Sequence, residues 1–162
     1  MFYSARSGRQ ALTLAHEYMH IVQLSFEPSY ARPKMDEIPF TGPQWITEGI
    51  AEYMAGFSEL SYRRTNTRAP SFDEWIEDKI FYSGSINASL KDLATLSGMA
   101  SVPRSYNLST WAVGLLAERS GTSSLFEYFK LTGSTGNWRE AFQQAFGLSV
   151  DDFYENFELL RS

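Results

Sequence analysis

The 162 residues are 43% hydrophobic and 20% charged, with 12 Phe, 9 Tyr and 4 Trp, a composition that builds one soluble domain with an aromatic-rich core. The formal net charge of −5, with basic side chains grouped only at Arg63, Arg64 and Arg68, excludes a stripe matched to nucleic-acid phosphates. The absence of cysteine excludes disulfides, thiolate metal sites and cysteine nucleophiles, and no apolar run approaches the ~20 residues that span a bilayer or forms the apolar centre of a secretory signal.

Leu12, Ala15, Met19 and Val22 recur at three- and four-residue steps, which predicts a first helix over about 9–24. Pro28, Pro33, Pro39 and Pro43 make 27–42 irregular, and Pro43 is placed to open a second helix running to about Gly56. Ser71 with Glu74 reads as a capping box for a helix over 72–81. Ser89 opens a short helix ending before Gly98, Ser105 or Tyr106 one ending before Gly121, and Thr122 or Ser123 one ending before Gly133. Asn137 with Glu140, and Ser149 with Asp152, predict helices over 138–146 and 150–160. Residues 2–6 or 35–40 could pair as short extended pieces, but no strand of useful length shows a period of two. The expected fold is mainly α, with little or no β-sheet, as a single domain over 1–162.

The first predicted helix carries both histidines of the chain, in His16-Glu17-Tyr18-Met19-His20. Four residues advance a helix by ~6 Å and leave the two side chains on one face, so two imidazoles can share one ion. Zinc suits neutral imidazole nitrogens, and a catalytic zinc takes three protein ligands and leaves a position for water. Glu17, beside the first ligand, can accept the proton of that water as general base without binding the metal itself. A third ligand is then required. The second predicted helix supplies a carboxylate within Trp45-Ile46-Thr47-Glu48-Gly49-Ile50-Ala51-Glu52-Tyr53, and its small residues Gly49 and Ala51 would let it pack closely on the first.

A His-Glu-x-x-His followed by Trp-x-x-Glu-Gly-x-Ala-Glu-Tyr resembles the gluzincin peptidases, above all the peptidase MA-like families and more distantly the aminopeptidase N and thermolysin types. The resemblance implies a zincin-like helical core and one Zn²⁺ held by His16, His20 and Glu48. It implies a peptide or protein substrate, cleaved in an endopeptidase-like reaction. It also implies that Glu52, one turn after Glu48, hydrogen-bonds a ligating imidazole, and that Tyr106, in a segment similar to the aminopeptidases' tyrosine, stabilises the oxyanion. The sequence departs from the aminopeptidase pattern in a longer, proline-rich interval between His20 and Glu48, placed at the rim of the cleft, and in lacking an element for a free amino terminus. The tail, from Leu115 to Phe157, resembles the family only in pattern.

Those families carry a substrate-binding sheet upstream, so the chain is expected to be a fragment of a longer protein or a reduced version. By analogy its location would be extracellular or in the cell envelope, although the sequence contains no signal of its own. The competing expectation is a zinc-stabilised binding or scaffold domain without catalysis, distinguished by whether the fourth metal position is open or closed by protein. Trp75, Trp111 and Trp138 fall at helical apolar positions and are assigned to packing, whereas Trp45 could brace Glu48 or line the cleft. Asp73, Glu74, Glu77 and Asp78 read as a solvated acidic face, without the loop pattern of a calcium site.

Overall fold

The computed structural model describes residues 5–27, 34–62 and 70–162. The described chain is mainly α-helical and contains no strand. Its helices are α1 (Ala5–Leu24), α2 (Gln44–Tyr62), α3 (Phe72–Ser83), α4 (Leu96–Ser101), α5 (Ser105–Ser120), α6 (Ser123–Thr135), α7 (Trp138–Phe146) and α8 (Val150–Arg161), with a 3₁₀ turn at Leu90–Leu93. Among the described residues no helix is long and apolar enough to cross a membrane.

The core is centred on α5. Leu108, Ala112, Val113 and Leu116 are fully buried, and so are the small polar Ser109 and Thr110, whose hydroxyls donate to the carbonyls of Ser105 and Tyr106 one turn earlier. Helix α2 lies between α5 and α1, burying Trp45, Ile46, Ile50 and Ala51. Trp45 is wholly enclosed, stacked on Phe153 at 5.8 Å, and its indole N–H donates to the Tyr154 hydroxyl at 3.0 Å. It therefore braces the start of α2 against α8 and does not line a cleft. Trp111 and Trp138 pack against the buried core, and Trp75 sits on Gly56.

Helices α2 and α6 run past the glycines expected to stop them, and Gly98, expected to follow a helix, lies inside the separate α4, for one physical reason. At Gly56, Gly98 and Gly133 an added Cβ would lie 2.5 Å from the Trp75 ring, 2.0 Å from the Asp92 carbonyl oxygen and 2.1 Å from the Phe26 carbonyl oxygen, respectively. These glycines permit close approach inside a helix, whereas Gly121 and Gly136, with positive φ, end α5 and α6. The segment around Ser89 is correspondingly split into the 3₁₀ turn and α4.

Gly49 also departs from expectation. Its missing Cβ makes room for the Ser109 carbonyl oxygen, 2.6 Å away, and Val113, so it seats α2 on α5 and not on α1. Residues 35–40 form turns, beginning with the Glu37 N–H donating to the Lys34 carbonyl, and residues 5 and 6 lie in α1. Residues 2–4, Pro28, Pro33, Arg63, Arg64 and Arg68 fall outside the described residues. The described part of the interval before α2, residues 34–43, is tied to α4 and α6. Ser97 donates to the Met35 carbonyl and to Asp36, while the Tyr128 hydroxyl donates to the Thr41 carbonyl.

Candidate metal centre

Helices α1 and α2 face each other across a seam of polar side chains. His16 and His20 project from α1, and Glu48 and Glu52, one turn apart, from α2. Two ring contacts fix how the imidazoles are protonated. Gln23, one turn after His20 and almost fully buried, donates its Nε2–H to the Thr47 carbonyl at 2.9 Å, which leaves its Oε1 pointing at His20 Nδ1, 2.8 Å away. An amide oxygen only accepts, so Nδ1 of His20 carries the hydrogen. Glu52 Oε2 lies 3.2 Å from His16 Nδ1 and fixes that ring in the same way.

Both Nε2 atoms of the neutral rings then present lone pairs, and they present them to each other. His16 Nε2 and His20 Nε2 are 3.0 Å apart, and Glu48 Oε2 is 3.2 Å from the first and 3.4 Å from the second. Three electron-pair donors this close repel unless a proton or a cation lies among them. The edge of a tetrahedron with metal–ligand bonds of ~2.0–2.1 Å is ~3.3 Å, so the triad already has the spacing of three ligands around a zinc ion. The other carboxylate oxygen of Glu48 accepts from Gln44 Nε2 at 2.8 Å, which turns Oε2 inward. Among the described residues this is the one group of three or more potential ligands found together.

Titration behaviour follows from the same crowding. In the metal-free protein burial pushes His16 down, but the carboxylates of Glu48 and Glu52 outweigh it and raise the ring to about 9. His20 is likewise raised, against burial, by Glu48. Burial opposes ionisation of Glu48, yet the two imidazoles hold it well below the usual carboxylate range. Glu52 is held down at about 2, because the His16 ring and the Lys79 ammonium overcome its burial. The seam demands positive charge, and a proton fills that demand when nothing else does.

Tyr106, in the first turn of α5, has its ring centroid 6.0 Å from that of His16 and remains 44% exposed. Partial burial and the negative charge of Glu48 push its phenol up to about 12, and Glu17 contributes in the same sense. Glu17 is exposed and, among the described residues, has no hydrogen-bond partner. The structure thus brings His16, His20, Glu48, Glu52 and Tyr106 into one cluster, while Glu17, the residue after His16 on α1, is exposed.

The sequence reading overlooked Gln23, Gln44 and Lys79. The first two carry a recoverable signal, since Gln23 lies one helical turn from His20 and Gln44 one turn from Glu48. Lys79 carries none, because it arrives from α3. The acidic residues beside it on α3, Asp73, Glu74, Glu77 and Asp78, are all exposed. No family model, curated protein or solved structure matches this chain.

Proposed function

We propose that this protein is a zinc-dependent metallopeptidase of gluzincin type that hydrolyses peptide bonds, with one Zn²⁺ held by His16, His20 and Glu48. The observation that carries the reading is the convergence of three lone-pair donors at 3.0–3.4 Å, with the opposite edge of each imidazole committed to Gln23 or Glu52. A bound zinc ion would supply Lewis acidity toward a water molecule and toward the carbonyl oxygen of the scissile amide.

The chain's own residues perform the remaining steps. Glu17 is an uncommitted carboxylate next to the first ligand, suited to take a proton from the attacking water and to pass it to the departing amine. Tyr106 keeps its proton up to about 12, so at neutral pH it can donate a hydrogen bond to the oxygen that gains negative charge as the carbonyl is attacked. Glu52 holds the His16 ring, and Gln44 holds Glu48, so the ligands need little rearrangement.

The test is zinc content by elemental analysis, together with cleavage of a mixed peptide library, for wild type, Glu48→Ala and Glu17→Gln. The expected result is near-stoichiometric zinc in wild type and Glu17→Gln and its loss in Glu48→Ala, with cleavage by Glu17→Gln lower by about 10²–10⁴-fold. Zinc binding without cleavage of any peptide would replace this reading with that of a zinc-stabilised binding domain. A wild type that takes up no zinc would refute both.

A further inference from the structure

Helix α3 lies beside the metal centre without contributing a ligand, and two matched pairs of residues join it to α2. On α2, Glu52 and Gly56 are one turn apart; on α3, so are Trp75 and Lys79. The Trp75 ring rests on the bare backbone of Gly56, where a Cβ would meet it at 2.5 Å. Lys79 Nζ stands 4.7 Å from the centre of that ring and 2.7 Å from Glu52 Oε1, with its side chain only 15% exposed. The other oxygen of Glu52 is the one 3.2 Å from His16 Nδ1. Both oxygens of this carboxylate are engaged, and it cannot turn without losing a partner.

We propose that Lys79 is a positioning residue for the metal site: held in place by Trp75 on Gly56, it fixes the Glu52 carboxylate and through it the His16 ring that binds the ion. The inference rests on the zinc-binding reading of His16, His20 and Glu48 and extends it to a third helix. The physical cause is geometric. A half-buried carboxylate that loses the donor on one oxygen swings toward water, and the imidazole it anchored gains rotational freedom that metal binding must then remove.

Partners of metal-ligating imidazoles typically change metal affinity by about 10–100-fold, and Lys79 acts one step further out. Lys79→Met, which keeps the aliphatic stem over Trp75, is expected to raise the zinc dissociation constant by about 3–10-fold, at or below the lower end of that range. Lys79→Arg should restore most of the loss. The decisive comparison is a double-mutant cycle, measured by zinc competition against a chromophoric chelator on proteins with matched circular dichroism. In a Glu52→Ala background the Lys79→Met change should have no further effect on zinc affinity, because its route to the metal is gone.

An equal loss in that background, or unchanged affinity in Lys79→Met alone, overturns the positioning role while leaving the three-ligand site standing. Absence of zinc binding in wild type, read in the same titration, overturns the metal centre itself. Should Lys79→Met fail to fold, Lys79→Gln provides the same comparison with a polar side chain. Gly56→Ala tests the support from the other side: by displacing the Trp75 ring it should weaken zinc binding in the same direction as Lys79→Met, and unaltered affinity would remove Trp75 and Gly56 from the device.

Discussion

Helices α6–α8 and helix α1 are held to the molecule by different physics. The first group buries Tyr128, Phe129, Phe142, Phe146, Phe153 and Phe157, in ring pairs such as Phe142 with Phe146 at 4.8 Å and Tyr128 with Phe146 at 5.8 Å. Among the described side chains of α1 the buried apolar residue is Met19, with Val22 packed partly against the core, while Leu14, Tyr18 and Ile21 are 71%, 66% and 63% exposed. Beside the packing of Met19 and Val22, α1 is fastened by the polar seam: Gln23 to Thr47, His16 to Glu52, and the triad. Apolar area holds one region whatever the solution contains, whereas the other depends on a positive charge between three electron-pair donors. Stability and metal binding should therefore be separable along the chain.

The largest effect should come from the aromatic side. Phe142→Ala removes a fully buried ring and should destabilise the whole domain by about 3–5 kcal/mol, seen as a lower denaturant midpoint with or without zinc. A loss present only in the metal-free protein would break the separation. Next comes removal of the proposed zinc by a chelator, which should accelerate amide hydrogen exchange in α1 by at least an order of magnitude and leave α6–α8 within about twofold. Uniform acceleration would mean that the two regions open as one unit.

The smallest effect is a pH dependence confined to the metal-free protein. His16 is raised from 6.5 to about 9, so its contribution to stability is full below 6.5 and is lost as pH rises through 9. Glu52 is lowered from 4.5 to about 2, so its contribution is full above 4.5 and is lost as pH falls toward 2. The docking of α1 without metal should be firmest between pH 4.5 and 6.5 and should weaken by pH 9, a trend that zinc should abolish by displacing the proton. A thermal midpoint independent of pH between 6 and 9 in the metal-free protein would argue against the charge-dependent seam.

The same contrast explains what could be read from sequence. Helix existence and order were legible, because the 3.6-residue period and the capping pairs act locally; Ser71 with Glu74 forms the reciprocal capping box expected of it. Asn137 and Ser149 cap α7 and α8 through their own side chains. The stops at Gly56 and Gly133 were misread, since a glycine that ends a helix and one that admits a neighbour are the same letter, and only the neighbour tells them apart. In the site, the spacing of His16, His20, Glu48 and Glu52 is a property of two helices and could be read from them. The support from Lys79 is a property of how a third helix docks, which no local pattern encodes.

Trp45 stands three residues before Glu48 and is clasped by Tyr154 and Phe153 of α8, more than a hundred positions later in the chain. Arg161 of the same helix donates to the carbonyls of Ile86 and Ala88, again across a long interval. Contacts so distant along the sequence form late, after the loops between them have closed. During synthesis the two helices that carry the triad leave the ribosome before α8, so the brace behind Glu48 is missing until α8 has followed. A chain built this way has made both histidines and Glu48 well before it can hold them in the geometry of the finished fold.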